Sequence, residues 1–289
     1  MNALTLYFAL TKPRLLPLVL FSGLPAIVLA AGYWPSPGRI VWILTGIALA
    51  AGAANALNSY LERDRDRAMQ RTVTRPLPAG LLPPQRALAF GLLLSLLGPG
   101  LLWLISGPAA AAVALGGILF YVFVYTIWLK PRSPIAVVVG GVAGAVSPLI
   151  ADAAVSGSIG VAGWMLFAIV FAWQPPHFWA ITLYRRAEYE AAGFPLMVSR
   201  IGPERTERRI LGWILALIPI SLLPNLVSTA GSLYAVAAIG LGVWFATAGL
   251  KLVRVGGDDA ARHVFRVSLI YLMGILLALI VDLSHSLVA

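Results

Sequence analysis

Apolar residues fill nine stretches long enough to cross a bilayer, at roughly 15–34, 40–60, 87–106, 108–129, 134–154, 160–184, 210–229, 231–250 and 264–284. Each reads as a helix, so the pattern predicts an all-α integral membrane protein with nine transmembrane helices in one domain, 1–289. Pro99, Gly140, Gly141, Pro148, Pro175 and Pro176 fall inside these stretches. Membrane helices tolerate such residues where neighbours pack closely. The Pro175–Pro176 pair removes two backbone donors and predicts a break in the sixth helix.

The cations divide by side. Lys12 and Arg14 precede the first helix. Arg63, Arg65, Arg67, Arg71, Arg75 and Arg86 follow the second, and Lys130 and Arg132 the fourth. Arg185, Arg186, Arg200, Arg205, Arg208 and Arg209 follow the sixth, and Lys251, Arg254, Arg262 and Arg266 the eighth. That places 20 of the 21 Lys and Arg on one face, with Arg39 alone opposite. The positive-inside rule then predicts a cytoplasmic N-terminus and, with nine spans, an external C-terminus in the cell (inner) membrane.

Composition agrees: 60% of residues are hydrophobic and 11% charged, and mean hydropathy is +0.89. A soluble domain carries about 25% charged residues. The net charge of +10 reflects membrane topology and an anionic substrate rather than nucleic acid. Absence of cysteine excludes disulfides, thiolate metal sites and cysteine nucleophiles. No cleavable signal is expected, because the first long apolar run begins after Arg14. Charged residues are missing near helix midpoints, and Asp152 and Asp282 fall near outer ends. Both facts weigh against a non-enzymatic transporter, which needs ionisable groups at the midplane.

Charge gathers at 55–80, NALNSYLERDRDRAMQRTVTRPLPAG. Asn58, Glu62 and Asp66 recur at i, i+4 and i+8. At ~100° per residue they share one helical face with ~40° drift per step. All three offer hard oxygen ligands, which suit Mg²⁺ completed by water and substrate phosphate. The surrounding arginines match phosphate oxygens. A solvated membrane-edge loop is the alternative for a charge run of this kind. However, Asn58 and Glu62 continue an apolar helix, where idle polar groups are costly.

A second constellation is AWQPPHFWAITLYRRAEYEAAGFP, 172–195. His177, Tyr184 and Glu188 fall on one face within ~40°. His177 lies about 12 Å below the basic edge at Arg185. A histidine there either satisfies a neighbouring helix or meets a substrate, and a Trp/Tyr cluster at a membrane end is more often an interface belt than a pocket.

N-x-x-x-[DE]-x-x-x-D followed by M-x-R-T-x-x-R-P-L (Asn58, Glu62, Asp66, Met69, Arg71, Thr72, Arg75, Pro76, Leu77) resembles the UbiA superfamily of intramembrane prenyltransferases. Q-P-P-H-F-W-A with Y-R-x-x-[DE]-Y is similar to its haem O synthase (protohaem IX farnesyltransferase) branch. TKPR at 11–14, YTIWLKPRSP at 125–134, GGVAGAVSPL at 140–149 and FRVSLIYL at 265–272 resemble it too, so the likeness spans nearly the whole chain. Ala136, Ser147, Asp152 and VSRIG at 198–202 depart from the branch pattern.

The resemblance implies a UbiA-type bundle around a central cavity and Mg²⁺-dependent transfer from farnesyl diphosphate to haem B. Catalytic and metal residues would be Asn58, Glu62, Asp66 and, on the second motif, Glu188. Arg67, Arg71, Arg75, Lys130, Arg132 and Arg185 would bind the diphosphate. His177, Trp179 and Tyr184 would contact the acceptor. Membrane lipid surrounds the chain, and a haem A synthase or oxidase assembly factor is a possible partner. The alternative within the fold is an aromatic prenyltransferase making quinone precursors.

Overall fold

The computed structural model describes residues 2–286. All nine apolar stretches are helical: α1 (Leu16–Ala31), α2 (Pro37–Leu61), α3 (Pro84–Ser106), α4 (Pro108–Leu129), α5 (Ala136–Ser156), α6 (Val161–Tyr184), α7 (Pro203–Leu226), α8 (Ser232–Val255) and α9 (Gly257–Ser286). There is no strand among the described residues. Eight of the nine are long and apolar enough to cross a membrane by length and composition, and the remaining one is apolar but shorter. The exception is α1, whose 16 residues reach only about 24 Å against a ~30 Å hydrocarbon core. It ends early because Gly32 turns into the left-handed region at φ 69° and closes the helix by donating its N–H to the Val28 carbonyl. The expected external C-terminus rests on nine crossings, and Ala289 itself lies outside the described residues.

Most helices pack on their chain neighbours, α2 on α3, α3 on α4, α7 on α8 and α8 on α9, while α1 packs mainly on the second half of α5. α9 also touches α1, so the last helix returns to the first. Gly98 lets α2 and α3 approach backbone to backbone; a Cβ there would lie 2.7 Å from the Ala50 nitrogen. Large side chains such as Trp103, Leu104, Trp164 and Val236 point outward, as suits a surface solvated by lipid.

α6 is the most enclosed span, packing against α5, α7, α9 and α1. It runs unbroken through Pro175 and Pro176, contrary to the predicted break. The prolines withdraw the N–H groups that would bond the Phe171 and Ala172 carbonyls, but neighbours on every side hold the backbone helical. Gln174, just before them, donates from Nε2 to the Gly141 carbonyl at 2.7 Å and ties α6 to α5.

Two of the departures from the branch pattern have structural roles. Ser147 donates to the Val19 carbonyl at 2.7 Å, joining α5 to α1. Asp152 accepts from the backbone N–H groups of Gly160 and Gly163, both at 2.8 Å, so it caps the start of α6 from the neighbouring helix. Asp282 does the same for α8 through Gly231 and Tyr234. These outer-end aspartates anchor helix termini.

α4 changes character halfway. Pro108–Leu119 is α-helical and Phe120–Leu129 is a π-helix. Ten residues is long for a form that usually appears as a single turn and often marks functional sites. It ends at Lys130, whose N–H reaches the Tyr125 carbonyl five residues back at 2.8 Å.

Candidate active site

The last turn of α2 carries Asn58, its C-terminal cap is Glu62, and a short helix Arg63–Arg67 carries Asp66. All three are buried, and each oxygen-bearing side chain holds one cation. Asn58 Oδ1 accepts from Lys12 Nζ at 2.6 Å. Lys130 Nζ sits 2.6 Å from Glu62 Oε1 and 2.7 Å from Oε2. Arg75 Nη1 lies 3.0 Å from Asp66 Oδ2. Thr72, fully buried, donates to the Asp66 carbonyl at 2.7 Å and fixes the loop that returns Arg75.

The electrostatics follow from crowding like charges around buried carboxylates. Burial pushes the Lys12 ammonium down to about 7; attraction to Glu62 opposes this, and repulsion from Arg75 and Lys130 reinforces it. Burial opposes ionisation of Glu62, yet Lys130 and Lys12 together hold its carboxyl below the usual range. Burial likewise opposes the charge on Lys130, but Glu62, through attraction and a hydrogen bond, together with Tyr121 and Tyr189 raises the ammonium overall.

The donor set fits Mg²⁺. It consists of oxygens alone, on consecutive turns, already facing cations. Glu62 Oε1 is buried close to Lys130 yet accepts no well-aligned hydrogen bond, so it keeps lone pairs for a further ligand. Among the described residues no three Asp, Glu, His or Cys side chains gather into a closed cage. A metal ion here would need water and substrate phosphate to complete its shell.

The remaining predicted residues separate into groups. Arg71 donates to the Tyr189 hydroxyl at 2.9 Å, bringing the first motif to the second. Met69 packs with Ala192 and Phe194 in the same place, and the Phe194 ring lies 4.9 Å from Lys130 Nζ and 5.0 Å from the Arg65 guanidinium. Arg67 turns outward to the exposed Asp64 at 3.4 Å. Arg132 bonds the Ile127 and Trp128 carbonyls, both at 2.8 Å, and so caps the π-helix. Glu188 is engaged by Arg185 at 3.0 Å, within its own motif.

His177 has its partner in a neighbouring helix. Its Nδ1 lies 2.7 Å from Ser268 Oγ on α9. That hydroxyl donates its one proton to the Phe265 carbonyl at 2.6 Å. On the neutral ring Nδ1 must therefore be the donor, and Nε2 carries the lone pair. The ring stacks on Trp173 at 4.3 Å and leans on Phe265 at 4.8 Å. Phe265 meets Tyr184 at 6.2 Å, and Arg262 lies over Tyr184 at 5.4 Å. Trp179 is buried with its Nε1 unpartnered.

Sequence reasoning missed Lys12, Tyr189, Phe194 and Thr126, whose hydroxyl lies 3.2 Å from Asn58 Nδ2. Lys12 was visible in the TKPR motif, but its charge was absorbed by membrane topology. Its backbone takes the left-handed region at φ 53°, uncommon for lysine. Asn55 donates to the Thr11 carbonyl at 3.1 Å, which ties that turn to α2.

The model of the UbiA prenyltransferase family matches residues 19–276. A protoheme IX farnesyltransferase of Acidiphilium cryptum is 41% identical over 290 residues, covering 96% of this chain and 90% of that one. The solved structure of a digeranylgeranylglyceryl phosphate synthase superposes with a TM-score of 0.81 at 19% identity, covering 98% of this chain and 99% of that one. A UbiA homologue of Archaeoglobus fulgidus bound to DMAPP and Mg²⁺ gives 0.66 at 15% identity, over 95% and 99%.

Proposed function

Because the chain belongs to the UbiA prenyltransferase family, we propose that it transfers the farnesyl group of farnesyl diphosphate to a vinyl group of haem B, giving haem O. The protein is an integral membrane prenyltransferase. The observation that carries the reaction class is the row of buried oxygens at Asn58, Glu62 and Asp66, each matched to a cation that also suits diphosphate. The haem acceptor is supported by full-length relatives of that activity. The quinone-type alternative has no such support among them.

Lys12, Lys130, Arg71 and Arg75 bind the diphosphate oxygens. The oxygens of Asn58, Glu62 and Asp66 would hold Mg²⁺, which would neutralise the charge growing on the leaving group. The allylic C–O bond breaks and its electron pair leaves with diphosphate. The vinyl π electrons of the acceptor form the new bond to farnesyl C1. The cation left beside the porphyrin ring takes water and loses a proton, giving the hydroxyethylfarnesyl group. Phe194 and Met69 close over the cations and limit the entry of bulk water.

His177, Trp179 and Tyr184 are proposed acceptor contacts. His177, Phe265 and Tyr184 form an angled aromatic cluster, with Phe265 tilted 34° to the His177 ring and set at 65° to Tyr184, and Arg262 stands over Tyr184 as a cation for an acceptor carboxylate. Glu188 would serve a second Mg²⁺ only by exchanging its bond to Arg185. Arg67 and Arg132 belong to the rim rather than to the clamp. A cytoplasmic N-terminus in the inner membrane follows from the cation bias, and a haem A synthase is the natural recipient of the product. The test is to incubate purified protein with farnesyl diphosphate and haem B and identify the product by mass spectrometry. A hydroxyethylfarnesyl haem supports the assignment; haem recovered unchanged while diphosphate is released overturns the acceptor.

A further inference from the structure

Among the proposed Mg²⁺ ligands, Asn58 is the only one whose two terminal atoms differ. A carboxylate offers oxygen at either end, but an amide turned the wrong way offers N–H groups that repel a cation. Its orientation therefore needs a cause. Lys12 Nζ, which can only donate, lies 2.6 Å from one end of the amide. Thr126 Oγ1 lies 3.2 Å from the other, which also faces the Glu62 carboxylate. That hydroxyl has one proton, and the proton goes to the Tyr121 carbonyl at 2.8 Å, an acceptor only. Thr126 therefore faces Asn58 as an acceptor, and the amide must present Nδ2 to it. The Thr126 bond runs five residues back along the π-helical segment, so the unusual backbone both supplies the carbonyl and sets Thr126 opposite Asn58. Both side chains are buried, so solvent does not compete for these bonds.

We propose that Thr126 is a positioning residue that locks the Asn58 amide with its oxygen toward the metal–diphosphate site. This rests on the reading that Asn58 is a metal ligand. Groups that orient a metal ligand from behind typically matter 10–100-fold in metal affinity, and the same range is expected here.

The test uses purified full-length protein with Mn²⁺ and inorganic pyrophosphate, reading bound Mn²⁺ by electron paramagnetic resonance. Thr126→Val keeps the shape and removes the acceptor, and Thr126→Ala does so by truncation. Both should weaken Mn²⁺ binding about 10–100-fold, while Thr126→Ser stays close to the parent. In an Asn58→Asp background, where either end of the side chain is oxygen, Thr126→Val should change Mn²⁺ affinity far less. Parent-like binding by a folded Val or Ala variant, or a Ser variant as weak as either, overturns the positioning role. Asn58→Ala separates the two levels: if it leaves Mn²⁺ binding intact, the ligand reading itself fails. If Asn58→Ala weakens binding while Thr126→Val does not, only the positioning proposal fails.

Discussion

Asp66 and Asp64 lie two residues apart and differ only in the face they occupy, which makes them a controlled comparison. The Asp66 side chain is 8% exposed and meets Arg75 at 3.0 Å, whereas that of Asp64 is 69% exposed and meets Arg67 at 3.4 Å. Asp66→Asn withdraws one carboxylate from the site proposed to stabilise the departing diphosphate. Losing one preorganised stabiliser of developing charge costs about 2.7–4 kcal/mol, or 10²–10³ in kcat. The fold should survive, because the Arg75 side chain is 33% exposed and keeps access to water when its partner is neutralised. The stability cost is then about 1 kcal/mol. Asp64→Asn removes an exposed ion pair worth about 0–1 kcal/mol at most, and kcat should stay within about twofold. Steady-state turnover of farnesyl diphosphate and haem B by both variants, with melting temperatures recorded alongside, tests this. Equal losses at both positions, or an Asp66→Asn enzyme with more than a tenth of parental turnover, would refute the single-face metal site.

Further expectations concern the acceptor, the missed lysine and the topology. His177→Ala should lower the melting temperature, because the ring packs between Trp173 and Phe265 and bonds Ser268, and it should also abolish the haem-induced spectral change. Ser268→Ala should reproduce the stability loss, about 1 kcal/mol, without the spectral one. A His177→Ala protein that binds and converts haem normally would make the ring purely structural. Lys12→Met should raise the KM for farnesyl diphosphate about tenfold, since one charge-assisted contact is worth roughly 1.5–3 kcal/mol; an unchanged KM removes Lys12 from the clamp. A reporter fused after Ala289 should read as external, and a cytoplasmic signal would mean that the short α1 does not count as a crossing.

The helices were legible because hydropathy sees lipid-facing surface directly, and Pro108–Leu129 matches its predicted range of 108–129 at both ends. Charged turns hid the rest. α9 begins at Gly257 with Asp258 and Asp259 in its first turn, seven residues before the apolar run. The oxygen ladder was readable from helical spacing alone. Its partners were not, since Lys12 and Lys130 reach it from 46 and 68 residues away in sequence. The π-helix leaves no mark in the hydropathy of FYVFVYTIWL, so nothing in the pattern pointed to Thr126. His177 was correctly singled out as needing a partner, but Ser268 lies 91 residues away.

The central claim is that a buried oxygen-and-cation site drives farnesyl transfer to haem. Purified enzyme should be given radiolabelled farnesyl diphosphate with equal haem B and 4-hydroxybenzoate, with and without chelator. The account predicts label in the haem fraction, none in the benzoate fraction, and loss of transfer when divalent cations are removed and its return on adding Mg²⁺. Label in 4-hydroxybenzoate, or transfer to haem that persists unchanged in chelator, would contradict it.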